Sequence, residues 1–388
     1  MVARNAEKQL RLLAKEFRSV AVVGPRQSGK TTMVRSVFPR KPYVSLEDPD
    51  ERLLADTDPR TFLSRFKNGA IIDEVQRVPS LFSYLQKILD QTKKDGLFIL
   101  TGSNNFLIQE SISQTLAGRI GYLDLLPLCY QELTRFPLND PSTDYLIWSG
   151  CYPEVHDRKR SPLLWYPAYI RTYVERDVKQ LKNITDTLLF NRFLKLCAGR
   201  IAQQLNVASL SNESGVDVRT VQSWLAVLES SYVLFNLQPH HANFNKRIVK
   251  TPKLYFHDTG LACSLLGIKS ANELTHSHFR GALFENYVVA ECIKNKHNSG
   301  SSTAYFYWRD NKGVEIDLLA EKGGKLVPIE IKSAQTFRAE YVANIQKWNS
   351  FSGNKGGMLL FDGEQHFRQS DQISVLNWRE AGAAKRLR

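Results

Sequence analysis

The residues of this chain that could do chemistry gather in two places. The first is the run Gly24-Pro25-Arg26-Gln27-Ser28-Gly29-Lys30-Thr31-Thr32, which has the G-x-x-x-x-G-K-T spacing of a phosphate-binding loop. Glycines there allow a loop whose backbone N–H groups encircle phosphates, and the helix start that follows favours negative charge. Lys30 is expected to reach the β- and γ-phosphates of ATP, and Thr31 to coordinate Mg²⁺. Downstream, Gly69-Ala-Ile-Ile-Asp73-Glu74 delivers two carboxylates to a strand end. Asp73 is expected in the Mg²⁺ shell, with Glu74 positioned to orient or deprotonate an attacking water. The next apolar run ends in Thr101-Gly102-Ser103-Asn104, so Ser103 or Asn104 is a candidate sensor of the γ-phosphate, and Arg119 is a candidate to stabilise transferring charge. A plain structural ion pair is the equal alternative for Arg119.

The second place is near the other end. Asp317 closes the strand-like VEID. Val327-Pro-Ile-Glu330-Ile-Lys332 puts Glu330 and Lys332 on one face of a strand by the period-2 rule, and Glu285 sits on the helical stretch FENYVVAECI. Carboxylates in this order with a lysine are what metal-dependent phosphodiester cleavage needs, with one or two Mg²⁺ or Mn²⁺ ions held by the acids and the lysine positioning water. The opposing reading is a β-hairpin face on which Glu330 and Lys332 simply pair.

These residues require particular elements. Val20–Val23 reads as a strand, with a helix resuming at Thr31; Gly69–Ile72 and Leu97–Leu100 read as further strands, separated by a helical stretch Leu81–Lys93. That alternation predicts an α/β fold, a P-loop core with a parallel sheet and crossover helices over residues 1–160. Residues 161–275 read as a helical region. Within it Leu205–Ser231 has the pattern of a helix-turn-helix, with Gly215 in the turn and Asp217 capping the second helix. Arg219, Thr220 and Gln222 near that helix start are candidate DNA contacts, and Tyr232–Leu237 with Lys253–Phe256 form a candidate wing. Residues 276–388 open with a helix, Gly281–Lys296, and continue as strands with glycine turns at Gly313 and Gly323/Gly324.

Together, GPRQSGKTT, IIDE, LTGS and Leu116-Ala117-Gly118-Arg119, with RTYVERDV at Arg171–Val178, resemble the AAA-type ATPases of bacteria and archaea whose C-terminal half is a separate, poorly characterised domain. That resemblance implies a P-loop ATPase core, a winged-helix-like region and a restriction-endonuclease-like α/β domain. The C-terminal set is similar to that of the PD-(D/E)XK nucleases, with Ile316-Asp317 standing where a proline-aspartate pair is usual. The resemblance also implies that a homo-oligomeric ring is an option, with Arg119 acting within one chain or across an interface.

Composition narrows the function classes. The 388 residues carry 52 Lys and Arg against 39 Asp and Glu, a formal charge of +13, and the middle third is the most basic. That balance suits a polyanionic partner such as DNA, though a protein partner switched by ATP remains the alternative. The basic clusters at Arg158–Arg160 and Lys385–Arg388 read first as solvated charge. No run approaches the length of apolar sequence a membrane helix requires, and the first residues show no apolar signal segment, so a cytoplasmic protein is expected. Five cysteines without a CxxC, and His276–His278 or His240/His241 without cysteine or acidic company, predict neither a disulfide framework nor a zinc site.

Overall fold

The computed structural model describes residues 2–103, 115–138, 140–174, 186–240 and 250–381. Asn104, Glu175–Val178 of the RTYVERDV run and Lys385–Arg388 lie outside the described residues. Two compact units are present: Met1–Leu128 with Ser230–Tyr232 and His297–Gly300, and Cys129–Glu229 with Val233–Lys296 and Ser301–Arg388.

In the first unit, α1 (Glu7–Glu16) leads into β1 (Ser19–Val23), the phosphate loop and α2 (Lys30–Val37). Then follow β2 (Tyr43–Ser45), α3 (Pro49–Thr57), α4 (Pro59–Ser64), β3 (Ala70–Asp73), α5 (Leu81–Gln91), β4 (Phe98–Gly102) and β5 (Ile120–Asp124). The strands pair in parallel in the order β2-β3-β4-β1-β5. β1 is Ser-Val-Ala-Val-Val with every residue buried, and Val20–Val23 is the unbroken apolar run of a strand covered on both faces. Its alternate residues Val20 and Val22 pack with Ala6 and Leu10 of the N-terminal segment, Met33, Val34 and Val37 of α2, and Ile71, Ile99 and Leu123 of the neighbouring strands. Burial of α1 and α2 on that face fixes where α2 begins, and so where its N-terminus points.

The second unit contains the helices Thr187–Ala198, Val207–Ser214 and Val218–Ser230, and the antiparallel pair β6 (Leu234–Leu237) and β7 (Lys253–Phe256). Gly215 ends the second of these helices at φ 80°, and Asp217 caps the third by accepting from the N–H groups of Arg219 and Thr220. The long helix Arg280–Ser299 runs past the expected Lys296 end. It precedes a mixed six-stranded sheet of β8 (Ala304–Arg309), β9 (Glu315–Lys322), β10 (Lys325–Lys332), β11 (Gly357–Phe361), β12 (Phe367–Arg368) and β13 (Ile373–Asn377). Its order is β12-β13-β11-β10-β9-β8, antiparallel from β8 to β10 and parallel from β10 to β13. Trp308, Ile316, Leu319, Ile345, Trp348, Leu359, Phe361 and Val375 form its core. No helix among the described residues is long and apolar enough to cross a membrane.

Candidate functional site

The order β3-β4-β1 brings three strand ends to one carboxyl edge: Val23 before the loop, Asp73 and Thr101. Gly24 leaves β1 at φ 150°, and an added Cβ would lie 2.2 Å from the Leu125 carbonyl oxygen, so glycine is required by close approach as well as by conformation. Gly29, left-handed at φ 90°, precedes Lys30 at the first turn of α2. Lys30 is 6% exposed, and its ammonium donates to the carbonyls of Gly24 and Pro25 at 3.0 and 2.8 Å. It therefore lies within the loop. Ser28 is fully buried and its hydroxyl has no hydrogen-bond partner, a polar atom for which an anion's oxygen would be one. Gln27 takes a left-handed backbone at φ 60°, whereas Arg26 approaches Glu47 at 4.0 Å and Thr32 is exposed.

Thr31 and Asp73 lie side by side, with the threonine hydroxyl 3.0 and 3.1 Å from the two carboxylate oxygens. Asp73 also accepts from the Tyr43 hydroxyl at 2.9 Å and from the Thr101 hydroxyl. Burial, with the charge of Asp73 beside it, pushes the Tyr43 hydroxyl up to about 12. This oxygen-rich pair fits Mg²⁺, a hard cation that takes carboxylate and hydroxyl oxygens. Glu74, one residue on, adopts a left-handed backbone at φ 56°, and its carboxylate accepts from Ser103 at 3.1 Å and from the Gln76 side chain. The turn thus sends Asp73 and Glu74 to different partners.

Sequence reasoning missed Arg4, Tyr43 and Gln76. Buried Arg4 clamps the loop, donating to the carbonyls of Ser28 at 2.6 Å and Leu126 at 2.8 Å. Such contacts reach over long separations to backbone atoms, and no spacing rule signals them.

Arg119 stands apart. It immediately precedes β5, whose first residue Ile120 pairs with Ser19 at the opposite end of β1 from the loop. Arg119 forms a bidentate pair with Asp90 and donates to the Ala117 carbonyl at 3.0 Å. Within one chain it does not belong to the phosphate site, because parallel register puts a residue before β5 at the amino edge of the sheet.

In the second unit the structure brings Glu285, Asp317, Glu330 and Lys332 together, and adds Lys253 and Glu315. Lys332 donates to Asp317 at 3.2 Å and to Glu330 at 2.7 Å, while the Ile331 N–H also reaches Asp317 at 2.9 Å. Lys253 pairs with Glu285 at 3.1 Å and with Glu315. Burial pushes Glu285 up to about 7 against the pull of Lys253, and pushes Glu330 well above the carboxylate range, helped by the charge of Asp317. Burial opposes ionisation of Asp317 as well, but Lys332, Lys253 and the Ile331 N–H outweigh it and hold that carboxyl below its ordinary value. Among the described residues no group of three or more Asp, Glu, His or Cys is placed to hold a metal ion. As arranged, the set does not fit the expected second Mg²⁺ or Mn²⁺, because ammonium groups sit on the carboxylates such an ion would need. Of the neighbouring acids, Asp310 accepts from the N–H groups of Lys312 and Val314, and Glu291 pairs with the buried Lys294.

Of the candidate DNA contacts, Arg219 and Gln222 are exposed, whereas the Thr220 hydroxyl donates to Asp217 at 2.6 Å and completes the helix cap.

Comparison with known proteins adds family evidence. Residues 16–134 match an AAA domain, residues 141–272 a domain of unknown function (DUF8612) and residues 280–381 another (DUF4143). Uncharacterized proteins of Mycobacterium tuberculosis and Mycobacterium bovis are each 30% identical over 338 residues, covering 86% of this chain and 74% of theirs. The Walker-type ATPase of Pyrococcus abyssi is similar at 14% identity and a TM-score of 0.46, covering 67% of this chain and 94% of that one. With an AAA-type P-loop domain followed by these two further domains, the chain belongs to the family of the two mycobacterial proteins.

Proposed function

We propose that this protein is a Mg²⁺-dependent ATPase. The observation that carries this reading is the division of labour at one sheet edge, where Asp73 faces Thr31 while Glu74 is turned to Ser103 and Gln76. Thr31 and Asp73 would hold the metal, which when bound neutralises phosphate charge. Lys30, now bonded to loop carbonyls, is long and central enough to turn to the phosphates, and Ser28 offers a further donor. Glu74, oriented by two donors, accepts a proton from water at the γ-phosphate.

DNA contact through the second unit belongs to the same proposal, supported by the basic middle region and the exposed Arg219 and Gln222. The lysine-bound state of the C-terminal acids favours DNA contact without cleavage, and keeps open a nucleotide-controlled contact with a protein instead. The test is steady-state ATP hydrolysis with Mg²⁺, with and without duplex and single-stranded DNA. Glu74→Gln should retain ATP binding and lose about 10²- to 10⁴-fold in turnover, the contribution typical of a positioned base. Full turnover in that variant or in Lys30→Ala sinks the ATPase reading. Duplex binding at low salt that weakens steeply as salt rises supports the DNA reading, and its absence points to a protein partner.

A further inference from the structure

Lys253 is an unusual place for a charge. It opens β7, is 3% exposed, and its strand is fixed on two sides: β7 pairs with β6, and Leu254 exchanges backbone hydrogen bonds with residues 202 and 203. The ammonium lies 3.1 Å from Glu285, also contacts Glu315, and sits 5.6 Å from the Tyr307 ring centroid. Glu285 is closed from another side by the Tyr255 hydroxyl at 2.6 Å, and Glu315 by Arg309 at 2.8 Å. Lys332 covers Asp317 and Glu330 from the edge of the same set. One oxygen, Glu330 Oε1, is left buried without a partner.

A divalent ion would need several of these oxygens at about 2.0–2.6 Å, and would have to share the site with a fixed ammonium of the same sign. A buried lysine with two carboxylates already supplies the positive charge the acids require, and it cannot leave without exposing or unpairing them. Lys253 comes from the β6–β7 pair rather than from the sheet or helix that carries the acids. The compensation is therefore built in by a separate element.

We infer that Lys253 is an internal counter-ion that closes the Glu285–Asp317–Glu330 set to divalent cations, so that the set is a charge-neutralised cluster and not a metal centre. The inference is independent of the ATPase reading, because it concerns the nucleotide-free chain and a different sheet.

The test is Mn²⁺ binding to the full chain without nucleotide, followed by the loss of the free-ion electron paramagnetic resonance signal. Wild type, Asp317→Asn and Glu330→Gln should give the same isotherm. Lys253→Met should gain a Mn²⁺ site that the added Asp317→Asn change removes. If wild type already binds Mn²⁺ at a site that Asp317→Asn or Glu330→Gln abolishes, the inference is overturned. A Lys253→Met protein that keeps the wild-type circular dichroism spectrum yet gains no site overturns it too. Should Lys253→Met not fold, Lys253→Gln, which keeps a polar group in that place without the charge, is titrated instead with the same two outcomes.

Discussion

Thr31 and Asp73, forty-two residues apart in the chain, share a hydrogen bond in which one hydroxyl lies 3.0 and 3.1 Å from the two oxygens of one carboxylate. Lys30 and Thr31 open α2, Asp73 closes β3, and β4 lies between β3 and β1. The pair forms only because the parallel sheet aligns those two ends, and it is the feature on which the nucleotide reading depends.

Thr31→Val should therefore remove most of the Mg²⁺ dependence of ATP binding while leaving the thermal unfolding midpoint near that of wild type. Titration with a fluorescent ATP analogue, in Mg²⁺ and in chelator, measures both arms. An unchanged ratio between the two would take Thr31 out of the metal's surroundings.

Tyr43 orients Asp73 from the edge strand, donating at 2.9 Å beside the Thr31 and Thr101 hydroxyls. Loss of an orienting hydrogen bond to a metal ligand costs roughly 10- to 100-fold in metal affinity. Tyr43→Phe should raise the Mg²⁺ concentration for half-maximal nucleotide binding by a factor in that range, with the affinity in chelator unchanged. If chelator affinity falls equally, Tyr43 acts on the fold and not on Asp73.

At Gly24 the added Cβ of alanine would meet a backbone oxygen at 2.2 Å, which no side-chain rearrangement relieves. Overpacking of this kind costs about 1–3 kcal/mol, so Gly24→Ala should lower the urea midpoint measurably. A midpoint equal to that of wild type would mean that the β5 end yields without cost.

His156 offers a prediction for pH. Burial lowers its ring below the ordinary 6.5, although its hydrogen bond to the Gly150 carbonyl at 2.8 Å pulls the other way. A histidine kept neutral in the fold contributes stability that is complete above its unfolded value and is lost as pH falls through that value toward the lowered one. Between about pH 7 and pH 5, the urea midpoint of wild type should fall more steeply than that of His156→Gln. Parallel pH profiles for the two proteins would show that the ring is not the titrating group.

The phosphate loop was legible because its chemistry is contiguous: glycines, lysine and threonine at fixed spacing need only the adjoining strand and helix, and both lie where Val20–Val23 and the stretch from Thr31 placed them. The end of one helix at Gly215 and the start of the next at Asp217 were legible for the same reason, since both residues act on their immediate neighbours. Arg119 was not. Its type and local sequence are compatible with a role at the phosphate, yet strand direction and register carry it to the amino edge, against Asp90.

The sequence by itself determined the local constellations, the apolar strands that carry them and the order of acids and lysine near the other end, because backbone conformation and side-chain period are set within a few residues. Only the tertiary structure decided which charges meet. Lys253 lies thirty-two residues before Glu285 and belongs to a different element, and nothing in either segment announces the pair. Once both are buried, each must find an opposite charge or lose its own, and which partner it finds depends on the packing of whole elements, beyond the reach of any local spacing.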